Sequence, residues 1–238
     1  MSDRKAQLEQ NLSATLAEIE RLAAQSGRKP PQLLPVTKFH PAADIALLAE
    51  LGITDVAENR EQEARAKAAE LPQLRFHMIG QIQTKKANHV ARWAASVHSL
   101  DSLKLAHALE RGVSLAKERG ERESNLPVFI QVSADGDGAR GGVTPDALDE
   151  VVRAVEKAQH LELAGLMVVP PLDADAGEVF RNVRGEVDRL SSELNRPLKF
   201  SAGMSADVAE AIAAGSDIVR VGTSIMLSLI HISEPTRQ

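Results

Sequence analysis

The sequence contains no cysteine and no tyrosine, and aromatic residues make up only 3% of it. Without cysteine, a disulfide framework, a thiolate metal site and a cysteine nucleophile are all excluded. The absence of tyrosine removes the phenol group as an acid or base. No apolar run approaches the length that spans a bilayer, and Met1 to Lys5 lead into a polar segment instead of a signal peptide. We therefore expect a soluble cytoplasmic protein with no membrane partner.

The charged residues show no concentration of one sign. The 238 residues include 28 Lys and Arg and 33 Asp and Glu, which gives a formal net charge of −5. A nucleic-acid-binding face usually needs clustered basic residues, and the short pair Lys85 and Lys86 is explained by the solvated start of a helix. The composition, 43% hydrophobic and 26% charged, is typical of a folded globular chain. No nucleic-acid partner is expected.

Apolar residues follow two different spacings along the chain. A helical spacing connects Leu8, Leu12, Leu16 and Ile19. These residues predict an amphipathic first helix that ends near Gly27. Short apolar runs then predict strands over 33–38, 54–57, 75–79, 96–100, 128–132, 162–168, 198–201 and 217–221. Helical stretches separate the strands, among them 101–117, 145–158 and 177–194.

Strands that alternate with helices from end to end indicate a parallel α/β architecture without an internal domain boundary. About eight such units match a single (β/α)8 barrel of the TIM type, here with an extra N-terminal helix. The alternative is an open doubly wound sheet, which carries a glycine-rich turn after its first strand. The first strand here runs into Lys38-Phe39-His40-Pro41, which contains no glycine. We therefore predict the barrel, in which functional side chains lie at the carboxyl ends of the strands.

Lys38 ends the first apolar strand, at the rim where barrel active sites form. A lysine shielded from water at that position becomes a competent amine for a carbonyl group. The ordinary alternative is a rim lysine whose amine reaches solvent. Position alone does not choose between the two interpretations, so Lys38 needs a partner elsewhere in the sequence.

Arg220 lies in the last predicted strand, between Val219 and Val221. Because side chains alternate along a strand, Arg220 points into the barrel if the two valines pack against the outer helices. A buried guanidinium needs an acceptor, and an internal ion pair with a carboxylate is one solution. Gly222 and Thr223 follow directly and offer two backbone N–H groups and a hydroxyl at a strand end, where phosphate commonly binds.

A similar turn, Ser201-Ala202-Gly203-Met204-Ser205, follows the seventh predicted strand. Ser205 is a candidate N-terminal cap of a helix over 206–214. Alone, each of these two turns is an ordinary strand-to-helix connection. The seven histidines show no paired spacing of the kind that binds zinc, and no Gly-x-x-x-x-Gly-Lys segment exists for a nucleoside triphosphate. We expect no metal site.

Six short segments, spread over nearly the whole chain, form an ordered set. They are Val36-Thr37-Lys38, Glu58-Asn59, Phe76-His77-Met78-Ile79-Gly80, Gly165-Leu166-Met167, Gly203-Met204-Ser205 and Val219-Arg220-Val221-Gly222-Thr223. Each segment is a weak signal, but the ordered set is specific. From the first helix to about Ile225, the chain resembles the pyridoxal phosphate homeostasis proteins, the YggS or PROSC family. That family is similar to the barrel domain of bacterial alanine racemases.

The resemblance implies that pyridoxal 5′-phosphate (PLP) is the cofactor and that Lys38 holds it as a Schiff base. It also implies that Arg220 faces the pyridine nitrogen and that Ser205, Gly222 and Thr223 cradle the phosphate. The remaining residues expected to line the site are Asn59, Ser201 and Met204. His77 also lies near a strand end, but a histidine satisfied inside the barrel wall is the simpler interpretation, so it stays outside the predicted site.

Two functions fit such a site: a PLP carrier in intracellular PLP homeostasis without catalytic turnover, and a PLP-dependent amino-acid racemase. An arginine at the pyridine nitrogen disfavours ring protonation and so weakens the electron sink of carbanion chemistry. Alanine racemases use a tyrosine as the opposing acid or base, and this sequence has none. A barrel without a lid also leaves the rim open to water. We predict the carrier; the racemase would need His77 or a second lysine as its other base.

The predicted partners are PLP and the PLP-dependent apo-enzymes that would receive it, and we expect a monomer. Residues 1–226 are predicted to form the PLP-binding barrel domain, and residues 227–238 an atypical tail. Members of the family usually continue after the Gly-Thr turn with a short apolar helix. Here Leu227 to Gln238 read LSLIHISEPTRQ, which resembles translated sequencing-adaptor sequence more than a native terminus.

Overall fold

The computed structural model describes residues 3–136 and 141–227 of the chain. Its strands are β1 (Gln32–Pro35), β2 (Asp55–Glu58), β3 (Arg75–Met78), β4 (Ser96–Leu100), β5 (Leu126–Gln131), β6 (Leu161–Met167), β7 (Lys199–Ser201) and β8 (Ile218–Val221). Its helices are α1 (Asp3–Gln25), α2 (Ala42–Glu50), α3 (Glu61–Glu70), α4 (Ala87–Trp93), α5 (Leu103–Glu118), α6 (Leu148–Lys157), α7 (Ala176–Glu193), α8 (Val208–Ala213) and α9 (Thr223–Met226). Each predicted strand is found, with ends within three residues of the prediction.

The strands are parallel and close into a barrel. Their order is β1-β8-β7-β6-β5-β4-β3-β2, so the first strand pairs with the last and Leu34 lies beside Arg220. Between β1 and β2, a bridge joins Val36 to Ala57, and the Thr37 N–H donates to the Ala57 carbonyl oxygen at 3.0 Å. These contacts complete the ring. The predicted (β/α)8 barrel is thus confirmed, and the open doubly wound sheet is excluded.

Side chains on the strands alternate between the barrel interior and the layer beneath the helices. The interior apolar residues include Leu34, Phe129, Met167 and Ile218. Val219 and Val221 instead pack in the outer layer, beneath the helices. A Cβ atom at Gly165 would lie 1.8 Å from the Lys199 carbonyl oxygen, so glycine is required for the close approach of β6 and β7.

The extra N-terminal helix α1 holds the last helix against the barrel. Arg4 of α1 donates to Asp44 Oδ2 at 2.9 Å and to the Met226 carbonyl oxygen at 2.7 Å. Asn11 donates through Nδ2 to the Ile225 carbonyl oxygen at 3.0 Å. Since α9 follows β8 directly, α1 also fixes the end of the strand that carries Arg220. None of the described helices combines the length and the apolar character needed to cross a lipid bilayer.

The predicted C-terminal tail begins at Leu227, and from residue 228 onward it lies outside the described residues. Its separation from a barrel domain over residues 1–226 therefore stays a prediction.

Candidate cofactor site

The predicted site residues lie on one side of the carboxyl-terminal mouth of the barrel. They are Lys38 after β1, Asn59 after β2, Ser201, Met204 and Ser205 at and after the end of β7, and Arg220, Gly222 and Thr223 at and after the end of β8. The strands β7, β8, β1 and β2 are consecutive neighbours around the ring. One arc of the mouth therefore carries the whole predicted set.

Arg220 points into the barrel, as predicted, and only 3% of its surface is exposed. Its Nη1 donates to Ser201 Oγ at 2.7 Å, and its Nη2 donates to the Val168 carbonyl oxygen at 3.4 Å. Burial lowers the pKa of Arg220 to about 10, and the charge of Asp207 offsets only part of that effect. Within the described chain, no carboxylate lies within ion-pair distance of the guanidinium, so the internal ion pair considered above does not form.

Ser201 connects Arg220 to a histidine inside the barrel. Ser201 Oγ lies 2.8 Å from His98 Nδ1. Burial holds the pKa of His98 well below its usual value, and the charge of Arg220 acts in the same direction, so the ring is neutral. We therefore assign Ser201 as an acceptor from Arg220 and a donor to His98 Nδ1, with the ring proton on Nε2. The His98 ring also stacks on Phe129, with 4.2 Å between the ring centroids.

Lys38 lies at the same mouth but is exposed, in the turn that follows β1. The burial expected for it is not found, and in this respect the solvent-reaching alternative is correct. Its Nζ lies 5.9 Å from the centroid of the Phe39 ring. The strand ends at Pro35, three residues earlier than predicted. The chain then turns at Phe39, whose φ of 67° lies in the left-handed region.

Asn59 presents a buried acceptor without a partner. Its Oδ1 has no hydrogen-bond partner among the described residues. Such a buried acceptor costs about 1–3 kcal/mol, so the position suits a bound group that donates a hydrogen bond. Gly80 holds the backbone of Asn59, since a Cβ atom at Gly80 would lie 1.9 Å from the Asn59 carbonyl oxygen. Ser99 Oγ donates in turn to the Gly80 carbonyl oxygen at 2.6 Å.

Two hydroxyls meet at the exposed end of the arc. Thr223 Oγ1 donates to Ser205 Oγ at 3.0 Å. Gly222 lies beside them and packs against the first strand, because a Cβ atom there would lie 3.1 Å from the Val36 carbonyl oxygen. The close approach of the two chain segments leaves small polar groups facing solvent, a surface suited to an anionic group.

Ser205 does not cap the following helix, so that prediction is wrong. Asp207 is the residue before α8, and its Oδ1 accepts the Met204 N–H at 2.7 Å. The intervening turn begins at Gly203, whose φ of +105° favours glycine, and it leaves the Ser205 hydroxyl free to meet Thr223. Met204 itself is 43% exposed at the rim.

His77 faces the opposite, amino-terminal mouth of the barrel. It lines a cavity of about 460 Å³ whose walls include the first residues of several strands. Its Nε2 lies 2.6 Å from Asp55 Oδ1, and its Nδ1 lies 2.6 Å from Ser96 Oγ. Both ring nitrogens are satisfied, which is the wall histidine expected from the sequence.

The structure contains an ionic cluster beneath Lys38 that the sequence did not predict. Lys67 Nζ donates to Glu58 Oε1 and to Glu63 Oε1, each at 2.7 Å, and to the Thr37 carbonyl oxygen at 3.0 Å. Glu58 is fully buried, and burial raises its pKa while the hydrogen bonds from Lys67 and Thr37 oppose the rise. The one sequence signal is the i,i+4 spacing of Glu63 and Lys67, which is also typical of a solvated helix face.

Comparison with protein families gives one model that matches residues 10–228, described as alanine racemase, N-terminal domain. A pyridoxal phosphate homeostasis protein of Corynebacterium glutamicum is 56% identical over 196 residues, which cover 82% of this chain and 89% of the relative. Another, from Mycobacterium tuberculosis, is 43% identical over an alignment that covers 94% of this chain and 93% of the relative.

Solved structures show the same likeness. The structure of PipY from Synechococcus elongatus with PLP bound matches with a TM-score of 0.74 and 34% identity, over 88% of this chain and 99% of that one. An alanine racemase of Corynebacterium glutamicum matches with a TM-score of 0.65 over 88% of this chain and 59% of the racemase. Its identity is only 14%, so this second likeness shows the fold alone.

Proposed function

This chain belongs to the pyridoxal phosphate homeostasis proteins, and from that premise we propose that it binds PLP at the carboxyl-terminal mouth of its barrel. In this proposal the protein holds and delivers the cofactor within the cell and has no catalytic turnover of its own. Lys38 holds PLP as a Schiff base, and Arg220 donates to the pyridine nitrogen. Ser205, Gly222 and Thr223 receive the phosphate.

The observation that carries the proposal is the environment of Arg220. The buried guanidinium has five N–H donors, and among the described residues it meets one hydroxyl and one carbonyl as acceptors. An unprotonated pyridine nitrogen is a neutral acceptor that suits such a donor. PLP stabilises a carbanion best when this nitrogen is protonated, and a neighbouring cation disfavours that proton. The arrangement supports retention of the cofactor and opposes its use as an electron sink.

The remaining residues support the same reading. The partnerless Oδ1 of Asn59 suits a donor on the bound molecule, and Ser201 orients Arg220 through its own bond to His98. Met204 would cover the ring from the rim. The exposure of Lys38 favours exchange, since an amine open to solvent can both capture and release an aldehyde.

No observation on the described residues favours the racemase alternative. A racemase needs His77 or a second lysine as its other base. His77 faces the opposite mouth, where Asp55 and Ser96 occupy both ring nitrogens. Lys67 is the lysine beneath the site, and each of its three N–H donors meets an acceptor within the protein.

The proposal includes PLP-dependent apo-enzymes as recipients, a monomeric protein and a cytoplasmic location, where such apo-enzymes would be met. The test is a transfer assay. PLP-loaded protein is mixed with an apo-aminotransferase in the presence of a phosphatase that destroys free PLP, and recovered transaminase activity is followed. We expect recovery with the loaded protein and none with the same amount of free PLP. Equal loss in both samples, or racemisation of alanine that Lys38→Ala abolishes, would overturn the carrier function.

A further inference from the structure

We propose that Lys67, together with Glu58 and Glu63, is a positioning residue for Lys38, because this ionic cluster fixes the peptide on both sides of it. The inference rests on the proposed function of Lys38 as the residue that holds PLP. The inference gives helix α3 an indirect role in the site: its residues Glu63 and Lys67 contact the neighbours of Lys38.

All three N–H donors of the Lys67 ammonium group have acceptors within the protein. An ammonium carries three N–H donors, and here they meet Glu58 Oε1, Glu63 Oε1 and the Thr37 carbonyl oxygen at 2.7, 2.7 and 3.0 Å. Lys67 is 7% exposed and Glu58 is fully buried. All three donors of the ammonium are therefore occupied. The Lys67 side chain joins helix α3 to Glu58 at the end of β2 and to Thr37 after the end of β1.

The cluster forms hydrogen bonds with both sequence neighbours of Lys38, Thr37 and Phe39. On one side, Thr37 donates through Oγ1 to Glu58 Oε1 at 2.7 Å, in addition to the bond from Lys67 to its carbonyl oxygen. On the other side, the Phe39 N–H donates to Glu63 Oε1 at 2.6 Å. The peptide before Lys38 is therefore bonded directly to the Lys67 ammonium through the Thr37 carbonyl oxygen. The peptide after Lys38 is linked to the same ammonium through the Glu63 carboxylate.

The backbone on both sides of Lys38 must fix its position, because the Lys38 side chain makes few contacts of its own among the described residues. It is exposed, and its Nζ lies 5.9 Å from the centroid of the adjacent Phe39 ring. Phe39 has a φ of 67°, a conformation that is costly for a residue with a bulky side chain. The bond from its N–H to Glu63 stabilises this turn, and Arg60 lies over its ring at 5.0 Å. The direction in which Lys38 leaves the barrel is thus set by the backbone.

A buried ionic cluster is a poor device for stability alone. Desolvation of the charges offsets much of their attraction, and apolar residues of similar size often stabilise a core equally well. Here three hydrogen bonds of the cluster go to the two residues next to Lys38: to the Thr37 hydroxyl, the Thr37 carbonyl oxygen and the Phe39 N–H. That distribution points to a role in position.

The test compares Lys67→Met, Glu63→Ala and Glu63→Gln in the full chain. Glu63→Gln keeps a side-chain oxygen that accepts from Phe39 and Lys67, whereas Glu63→Ala removes it. Asp188→Ala, which breaks the exposed i,i+4 pair with Arg184 on α7, is the matched control. For each protein the apo melting temperature, the PLP affinity and the rate of borohydride-trapped labelling of Lys38 are measured.

We expect Lys67→Met and Glu63→Ala to weaken PLP affinity and slow labelling by about tenfold, while Glu63→Gln and Asp188→Ala stay within about twofold of the parent. Wild-type affinity and labelling in folded Glu63→Ala, with only the melting temperature lowered, would overturn the inference. If Lys67→Met does not fold, the two Glu63 variants decide. Labelling of the parent at a residue other than Lys38 would overturn the proposed function as well, whereas a parent labelled at Lys38 with unaffected variants would overturn only the positioning role.

Discussion

Arg220 is held inside the barrel at a cost to the folded state. Burial lowers the pKa of Arg220 to about 10, so folding disfavours its charge throughout the range below pH 10. By linkage this lowers the stability of the fold by a few kcal/mol at neutral pH, and the cost fades only as the pH rises above about 10. Residues that weaken the fold are typical of functional sites.

Replacement of Arg220 by methionine therefore separates stability from binding. We expect apo Arg220→Met to unfold at the same urea concentration as the parent or at a higher one, and to bind PLP at least about tenfold more weakly. Arg122→Met is the contrasting control. Arg122 donates to the carbonyl oxygens of Ala91, Ala94 and Ser124, so its loss should destabilise the fold and leave PLP affinity unchanged. An apo Arg220→Met that unfolds far earlier than the parent would mean that Arg220 is structural.

Asp55 gives the amino-terminal end of the barrel an acid sensitivity. The hydrogen bond from His77, with a smaller contribution from Thr54, lowers the pKa of Asp55 to about 2. Since the folded pKa is lowered, the carboxylate stabilises the fold above about pH 4 and loses this effect as the pH falls towards 2. With allowance for solvent screening, the contribution is about 1–2 kcal/mol.

Asp55→Asn should reduce the loss of folding stability between about pH 4 and pH 2. We expect parent and variant to differ in unfolding free energy by about 1–2 kcal/mol at pH 6 and to converge below pH 3. Urea denaturation of both apo proteins from pH 6 to pH 2.5 measures the difference. A gap that stays constant over this range would show that the charge of Asp55 does not contribute.

The loop after β3 acts on the site through backbone packing. Gly80 lies so close to Asn59 that a Cβ atom would lie 1.9 Å from the Asn59 carbonyl oxygen, and a backbone atom cannot rotate away. We expect Gly80→Ala to lower the unfolding free energy by about 2–4 kcal/mol and to weaken PLP binding, because Asn59 must move. Gly185→Ala in α7, where nothing lies within 4 Å of the added Cβ, should be neutral or stabilising. Thermal melts and PLP titration compare the two variants; equal behaviour would refute the packing argument.

The strands were predictable because each is a short apolar run between turn residues, and the placement of Arg220 followed from its alternation with two valines. The cap at Ser205 was not, because the turn after Gly203 brings the Ser205 hydroxyl to Thr223, a residue distant in sequence. The residue before α8 is Asp207, and its side chain makes no capping hydrogen bond to the helix. The exposure of Lys38 could not be predicted from the sequence for a related reason. The left-handed turn at Phe39 depends on Glu63, which is distant in sequence.

On the scale of the whole molecule, the two ends of the described chain are joined. Arg4 and Asn11 of α1 hold the carbonyl groups of α9, directly after the strand that carries Arg220. These contacts involve residues up to Leu227, to which Asn11 also donates at 3.1 Å. The position of Gly222 and Thr223 is therefore already determined within the barrel.

Deletion of residues 228–238 should leave the protein intact. We expect the melting temperature to change by less than about 2 °C and the PLP content to stay the same, because the contacts that fix α9 remain. Asn11→Ala in the full chain is the complementary variant and should lower both. A large loss on deletion would show that the tail contributes to the fold, against the predicted boundary after residue 226.

We propose that one arc of the barrel mouth, on β7, β8, β1 and β2, binds PLP through Lys38. The most direct measurement is borohydride reduction of the PLP-loaded protein, followed by proteolysis and mass spectrometry of the labelled peptide. We expect a single phosphopyridoxyl group on Lys38, absent from Lys38→Ala. A label on another lysine, or no label after incubation with excess PLP, would contradict it.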